Sequence, residues 1–191
     1  MVELLHFLES IHPMSDSLKQ HLAVTLKEKH LAKKDYLLKA GHVSRNICFI
    51  AKGLLRCFYI KDDLEVCSWF MKEGDVIVSV ESFFQQKPSY ESIQALEDCL
   101  VYYITYDELQ YTYRHYSEFN FIGRVMLEKY YVLSEQRLYS MRMQTAVERY
   151  HHLLQHFPEL VQRVSTTDIA SYLGVRRETL SRKKKDSKKI L

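Results

Sequence analysis

The sequence predicts an α+β protein with three consecutive parts: a strand-rich N-terminal half, one long helix and a helical C-terminal segment. From about Lys34 onward, short apolar runs alternate with turn residues. From Ser117 to Met143, apolar residues recur at helical spacing without a proline, and after Pro158 two short helical patterns flank Gly174. Periods of two and of 3.6 residues separate strands from helices. The expected domain boundaries are therefore residues 1–116, 117–143 and 144–191.

The first thirty residues are expected to be helical. An amphipathic helix would place Leu4, Leu5 and Leu8 on one side, and a second helix is predicted over Ser17–His30. The N-terminus carries no basic leader or cleavage site, and no apolar run approaches the ~20 residues of a membrane span. These features favour a cytoplasmic location without membrane contact.

The segment from Lys34 to Thr105 is expected to form several short antiparallel strands. The apolar runs end at turn signals that include Gly41, Gly53 and Gly74, where glycine adopts a positive φ most easily. Strands at this even spacing, with no long helix between them, favour an antiparallel barrel or sandwich.

Cys48, Cys57, Cys67 and Cys99 each lie in an apolar run, and none belongs to a Cys-x-x-Cys pair. Zinc or iron–sulfur ligation would need closer spacing on turns. They are predicted to be buried free thiols.

The Ser117–Met143 segment is predicted to be one helix with two apolar stripes. We expect it to join two protomers, through the stripe that contains Ile122, Met126, Tyr130 and Leu133. Leu127, Tyr131, Leu138 and Met141 give the second stripe. The alternative is a long helix packed entirely within its own chain.

The next predicted helix, Gln144–Phe157, carries His151, His152 and His156. His152 and His156 are four residues apart, which is a spacing that can bind zinc. No carboxylate lies at ligand spacing, so surface histidines are expected and no metal site is predicted.

The segment from Val164 to Lys183 matches a helix-turn-helix. Ser165 or Thr166 can cap the first helix, and Gly174 follows it at the position that favours a left-handed backbone. Val175 would fill the turn, and Leu180 would anchor the second helix inward. A small residue, a glycine and two apolar anchors at these spacings are a specific signal.

The outward face of the second helix would carry the contacts to DNA. Arginine donates two hydrogen bonds to guanine, and glutamate accepts one from cytosine, while hydroxyls and lysines bind phosphates. The predicted DNA-binding residues are Ser165, Thr166, Thr167, Arg176, Arg177, Glu178, Thr179, Ser181, Arg182 and Lys183.

Charge is concentrated in the same region. The chain has a net charge of +3, but residues 176–189 alone contain eight lysines or arginines and two acids. A basic segment on a mildly acidic body indicates contact with a polyanion, although a solvated lysine-rich tail would have the same composition.

The strand-rich domain, the long helix and the Arg177-Glu178-Thr179 sequence followed by Arg182 together resemble the cyclic-AMP receptor protein and fumarate–nitrate regulator (Crp/Fnr) superfamily. The stretch Ala170–Gly174 is similar to the family's Bacteroidetes-type members. The resemblance covers nearly the whole chain. It implies a cyclic-nucleotide-binding-type jelly roll, a homodimer on a symmetric double-stranded DNA operator, and RNA polymerase as a partner.

The effector site departs from the family's pattern. Cyclic-AMP-binding members carry a Gly-Glu pair and then an Arg followed by Ser or Thr; here those positions are Val78, Ser79, Ser89 and Tyr90, which we take as the expected effector pocket. No arginine lies between Arg56 and Arg114, and Lys87 is the only cation nearby. A buried cyclic phosphate needs a positive partner, so weak or no cyclic-AMP binding is expected. No cofactor is predicted, and the small-molecule effector is left open.

Two other readings of the function remain. One is a small-molecule-sensing module whose helix-turn-helix serves protein contacts. The other is an enzyme built on a cupin-like barrel, but the strand region offers only His42 as a metal ligand and no nucleophile–base pair is visible. The sequence therefore favours a non-enzymatic regulator. The six residues from Asp186 to Leu191 are too few for the family's usual β-hairpin wing.

Overall fold

A computed structural model describes residues 1–181 of the chain, and these residues form two compact units. The first unit contains residues 1–59 and 69–129. The second contains residues 60–68 and the chain from Tyr130 onward. The boundary therefore crosses one strand hairpin and the long helix.

Two four-stranded antiparallel sheets form the centre of the first unit, in the arrangement of a jelly roll. One sheet has the order β1-β8-β3-β6 and the other β2-β7-β4-β5. The strands are β1 (Lys27–Leu31), β2 (Tyr36–Leu38), β3 (Asn46–Lys52), β4 (Leu55–Lys61), β5 (Leu64–Met71), β6 (Val76–Ile77), β7 (Glu91–Ala95) and β8 (Cys99–Thr105).

Alternation along β3 and β8 divides the apolar side chains between two cores. Cys48 and Ile50 point into a core that both sheets share, while Phe49 between them points to the opposite side. In β8, Val101 faces the core that both sheets share, and Tyr102 faces the opposite core. Because successive residues of a strand face opposite sides, a sheet covered on both faces has this continuous apolar character.

The second core of this unit lies between the β1-β8-β3-β6 sheet and the helices. It contains apolar side chains from each long helix of the unit, including Leu8, Leu22, Leu109 and Ile122. The helices are α1 (Val2–Ile11), α2 (Asp16–Thr25), α3 (Val80–Gln85), α4 (Tyr106–His115) and the first half of α5 (Ser117–Met143).

The predicted helix over Ser17–His30 is wrong in its second half. Helix α2 ends at Thr25, and Lys27–Leu31 forms β1 instead, paired in antiparallel register with β8. Leu18 and Leu22 do pack inward from α2. The regular leucine spacing continued across a real boundary, because Leu31 is buried from a strand while the residues before it are exposed at the sheet edge.

Three turn glycines behave as the sequence predicts, since Gly41, Gly53 and Gly74 all have positive φ. Gly53 is the most constrained of them. A Cβ atom at this position would overlap the Cys99 thiol, so both the backbone angle and the space require glycine.

The four cysteines are free and buried, as predicted. Burial raises the pKa of the Cys48 thiol to about 12. The thiol is therefore uncharged at neutral pH and behaves as a small apolar side chain.

The second unit is a small helical core. It contains the end of the β4–β5 hairpin, the second half of α5, α6 (Ala146–His156), α7 (Pro158–Arg163) and α8 (Thr166–Tyr172), followed by helical residues 177–181. Thr145 and Glu148 form a reciprocal capping box that starts α6, and Pro158 occupies the first turn of α7. The buried apolar residues are Tyr150, Leu153, Leu160, Val164, Ile169, Ala170, Leu173 and Leu180.

Across the described residues, none of the helices is both long and apolar enough to cross a membrane.

Candidate nucleic-acid interface and internal cavity

Helix α8 is capped by hydrogen bonds at both ends, and its C-terminal cap forms the turn that leads to residues 177–181. Ser165 caps the start of α8 by accepting from the Asp168 N–H at 3.1 Å. At the end of α8, the Val175 N–H donates to the Ala170 carbonyl and the Gly174 N–H to the Ser171 carbonyl, both at 3.0 Å. This pair of bonds is a Schellman motif, and its left-handed residue is Gly174, with φ +66°.

Two arginines hold the end of α8 against the neighbouring helices. Arg149 of α6 donates to the Leu173 carbonyl at 2.7 and 3.0 Å. Arg137 of α5 donates to the Tyr172 carbonyl, and its guanidinium lies 3.8 Å from the centre of the Tyr172 ring. Neither arginine was assigned a role from the sequence, because an arginine inside an amphipathic helix has no local signal for a partner that lies distant along the chain.

The hairpin end of β4 and β5 contacts α8 as well. The Cys67 N–H donates to the Ser171 hydroxyl at 2.8 Å, and that hydroxyl donates to the Glu65 carbonyl at 2.9 Å. Ser171 therefore links two backbone groups of the hairpin to α8. Sequence analysis missed this contact too.

The predicted DNA-binding side chains are mostly exposed. Arg176, Arg177, Glu178 and Thr179 are all accessible to solvent, whereas Leu180 is 1% exposed and anchors the segment. Ser165, Thr167 and Ser181 are exposed and Thr166 is half-buried. Arg182 and Lys183 lie outside the described residues.

The two stripes of α5 have different surroundings. Ile122 is 1% exposed and belongs to the chain's own core, and Met126 packs against that core. Tyr130 and Leu133 are half-buried. Ile122 is therefore covered by the chain's own core, and the contact of this stripe with a partner protomer stays a prediction.

The second stripe is the exposed one. Leu127, Tyr131, Leu138 and Met141 are 61%, 66%, 45% and 39% exposed, and their 4-7-3 spacing places them along one face of the helix. The two stripes are about 100° apart around the helix, as the helical repeat dictates. Periodicity showed both stripes but could not show which one the domain itself covers.

A cavity of about 200 Å³ opens between the two sheets of the first unit. Its lining combines polar side chains at the start of β3 with apolar side chains from β2, β6 and β7. The lining residues are Leu37, Leu38, Val43, Ser44, Arg45, Asn46, Cys48, Ile77, Val78 and Ile93.

Of the four residues predicted for the effector pocket, Val78 lines this cavity. Ser79 and Ser89 are both buried, and their hydroxyl oxygens lie 2.9 Å apart. Ser89 also donates to the Glu91 carbonyl at 2.8 Å. Tyr90 is exposed, and its ring lies 5.6 Å from that of Tyr59. The structure thus brings the two serines together but places them and Tyr90 outside the cavity lining.

Glu91 places a carboxylate next to the Ser79 hydroxyl. Its half-buried carboxylate is hydrogen-bonded by Ser79, and burial raises the pKa of Glu91 despite that hydrogen bond. A carboxyl group and two neighbouring serine hydroxyls therefore lie together here, without a cation among the groups that bond them in the described residues. Arg45, which the sequence analysis overlooked, is instead the cation that lines the cavity.

His151, His152 and His156 of α6 are exposed to solvent, as the sequence predicts. The rings of His152 and His156 are 4.3 Å apart, and burial and the neighbouring His156 lower the pKa of His152. Within residues 1–181, no group of three or more His, Cys, Asp or Glu side chains is placed to hold a metal ion.

Comparison by sequence identifies the strand-rich part of the chain. Residues 28–116 match the family model of the cyclic nucleotide-binding domain. A search of curated proteins finds no significant sequence match.

Several solved structures have a similar fold over most of the chain. A CooA mutant from Carboxydothermus hydrogenoformans is 22% identical, with a TM-score of 0.70. The match covers 92% of this chain and 80% of the CooA chain. The c-di-GMP-responsive global regulator CLP from Xanthomonas campestris is 18% identical, with a TM-score of 0.69 and coverages of 91% and 93%. A transcriptional regulator of the Crp/Fnr family from Eubacterium rectale is 14% identical, with a TM-score of 0.70 and coverages of 88% and 81%.

The jelly roll, the long α5 helix and these matches agree with each other. Residues 28–116 match the cyclic nucleotide-binding domain model, and the fold of the chain is similar to that of solved structures that include a Crp/Fnr-family regulator.

Proposed function

We propose that this protein is a sequence-specific DNA-binding transcription regulator that acts as a homodimer. The observation that carries the proposal is the run of exposed side chains Arg176–Thr179, which begins a helix anchored by the buried Leu180. The fold shared with Crp/Fnr regulators supports it.

In this proposal, α8 and the helix that starts at residue 177 form a helix-turn-helix. The second helix would enter the major groove, where Arg177 can donate to guanine and Glu178 can accept from cytosine. Thr167 and Ser181 are exposed hydroxyls that can bind phosphates on either side. The Schellman turn at Gly174 and the two arginine contacts to α8 would hold the angle between the helices.

The exposed stripe of α5 supports the homodimer. An apolar stripe that repeats every three or four residues is the pattern by which two parallel helices pack against each other. Two copies joined this way would present two recognition helices, and their half-sites would lie about 34–36 Å apart on the DNA. We infer that Leu127, Tyr131, Leu138 and Met141 form this interface, with Tyr130 and Leu133 at its margin.

We also propose that cyclic AMP is not the effector. Glu91 would repel a cyclic phosphate, and neither Ser79 nor Ser89 can supply the charge that such a buried anion needs. The regulator would respond to another small molecule through the same domain, or bind DNA without one.

The test is selection of DNA from a random-sequence duplex pool by the purified full-length chain. We expect the wild type to enrich a two-fold symmetric site, and the enriched site to be the same when cyclic AMP is added. Arg177→Ala should lose the enrichment. Arg114→Ala is the matched control, because Arg114 is an exposed arginine on α4 whose hydrogen bond within residues 1–181 goes to a carbonyl of its own helix.

Loss of enrichment in both arginine variants would indicate a general charge effect and contradict base recognition by Arg177. Absence of enrichment by the wild type, with and without cyclic AMP, would instead favour a sensing module whose C-terminal helices contact proteins.

A further inference from the structure

One wall of the cavity carries a serine hydroxyl that is open to solvent. Ser44 is only 5% exposed, and it donates its backbone N–H to the Ser82 hydroxyl at 2.9 Å. Its own hydroxyl makes no hydrogen bond to any residue that the structure describes, yet it is not sealed from solvent. Because no described residue uses this hydroxyl, it is available to donate to or accept from a ligand in the cavity.

Two more donors follow directly in the sequence. Arg45 and Asn46 also line the cavity, and within residues 1–181 neither side chain makes a hydrogen bond or an ion pair. Arg45 is exposed at the mouth, and Asn46 is half-buried where β3 begins. The polar end of the cavity thus offers a guanidinium, an amide and a hydroxyl, and no acid lines it.

The remainder of the cavity is apolar. Leu37, Leu38, Ile77, Val78 and Ile93 supply branched aliphatic walls. Cys48 behaves as one more apolar group, because burial raises the pKa of its thiol to about 12. A ligand for this space therefore needs an apolar body and one polar end.

Size limits the ligand further. The cavity holds about 200 Å³, whereas pockets for drug-sized ligands span about 300–1,000 Å³. An engineered apolar cavity of about 150 Å³ accommodates benzene. The space here suits a molecule somewhat larger than benzene.

We propose that this cavity binds a small apolar monocarboxylate, about the size of benzoate or hexanoate, with its carboxylate on Arg45 and its hydrocarbon part between the two sheets. Arginine pairs with carboxylates through two parallel hydrogen bonds, and Ser44 and Asn46 can donate to the remaining lone pairs. The inference deepens the proposed function, because it names the ligand class of the sensing domain. It is tested without DNA, so its failure would leave DNA recognition by residues 176–181 unaffected.

The experiment titrates the full-length chain with benzoate and with hexanoate by isothermal calorimetry and ligand-observed NMR. We expect saturable binding of at least one of these probes, and at least tenfold weaker binding of the matching neutral amide, benzamide or hexanamide. Arg45→Gln should weaken carboxylate binding at least tenfold, which is the usual effect of losing a charge-assisted hydrogen bond. Arg114→Ala, which removes an exposed arginine far from the cavity lining, should bind as the wild type does.

A second variant, Val78→Phe, fills the cavity from its wall and should remove binding while Arg45 is retained. Failure of the wild type to bind either probe would overturn the proposal. Equal binding by Arg45→Gln and the wild type, equal affinity for the amide, or binding of cyclic AMP in preference to both carboxylates would overturn it as well.

Discussion

At the scale of single residues, Glu178 is the side chain whose role can be separated most cleanly from general attraction to DNA. It is exposed beside Arg177, and it is the acid in a segment that is otherwise basic or neutral from Arg176 to Lys185. A carboxylate next to a phosphate backbone is unfavourable unless it accepts a hydrogen bond from a base.

Glu178→Ala should therefore relax the preference at one base pair of each half-site by about 1–3 kcal/mol and leave the other positions unchanged. The measurement is the affinity of wild type and variant for the selected site and for its single-base-pair variants. If the variant kept the wild-type preference at every position, the assigned contact would be wrong.

Glu91 gives a prediction about pH. Burial raises its pKa above the ordinary value of 4.5, so the folded state disfavours the ionised form relative to the unfolded chain. Below pH 4.5 the carboxyl is protonated in both states and carries no penalty. As the pH rises through the raised pKa, the folded state loses stability.

Glu91→Gln removes the ionisation and keeps a side chain that can accept from Ser79. The variant should unfold at a higher temperature than the wild type at pH 7, and the difference should shrink as the pH falls to 4.5. Thermal unfolding from pH 4 to pH 8 measures it. A difference that stayed constant across this range would show that the substitution acts through packing and not through the charge.

Ile122 and Arg45 show what residue patterns can and cannot predict. The sequence placed Ile122 on an apolar helix face correctly, but the face alone does not tell whether a sheet or a second protomer covers it. Arg45 was overlooked because it lies eleven residues before Arg56, outside the segment where the family's arginine would stand. Its position in the cavity wall depends on the pairing of β3, which is a long-range feature.

At the scale of elements, α5 is the helix on which the proposed homodimer depends. Its extent, Ser117–Met143, is the one that its uninterrupted periodicity predicts. Tyr131 and Tyr139 provide a matched pair on this helix, since they are 66% and 62% exposed and only Tyr131 lies on the exposed stripe.

Tyr131→Asp should dissociate the homodimer, because it would bury a charge at the helix–helix contact, whereas Tyr139→Asp should not. Sedimentation velocity of wild type and both variants checks this prediction. Equal dissociation by the two substitutions, or a wild type that sediments as a monomer at all concentrations, would argue against the stripe as the interface.

The β4–β5 hairpin is an element whose contact could not be predicted from local sequence. Ser171 holds it through the Cys67 N–H and the Glu65 carbonyl, which are more than a hundred positions away along the chain. Short-range patterns such as caps and turns carry no information about such distant pairs. The Ser165 cap and the Gly174 turn, by contrast, could be predicted from the local sequence.

Ser171→Ala should release the hairpin from α8 at a cost of about 1 kcal/mol per lost hydrogen bond. Hydrogen exchange of the Cys67 amide should become several-fold faster. Ser140→Ala, which removes a local bond from Ser140 to Gln144 in the same unit, is the control and should leave that amide unchanged. Unchanged exchange in Ser171→Ala would show that the hairpin is held by its strands alone.

At the scale of the whole molecule, the order of parts along the chain was predictable and their internal packing was not. Periodicity separated strands from helices and placed the recognition segment at the C-terminal end. It misjudged Lys27–Leu31, because leucine spacing continued from α2 into β1, and the tertiary pairing with β8 decided the outcome. The central claim also belongs to this scale, since a symmetric operator needs two complete chains.

The most direct test of that claim is the affinity of the full-length protein for the selected symmetric duplex compared with a scrambled duplex of the same composition, both at physiological salt. We expect at least 10³-fold tighter binding to the symmetric duplex, which is the lower range for specific regulators. Equal affinities for the two duplexes that fall together with rising salt would contradict sequence-specific recognition. They would indicate that a basic segment is attracted to any polyanion.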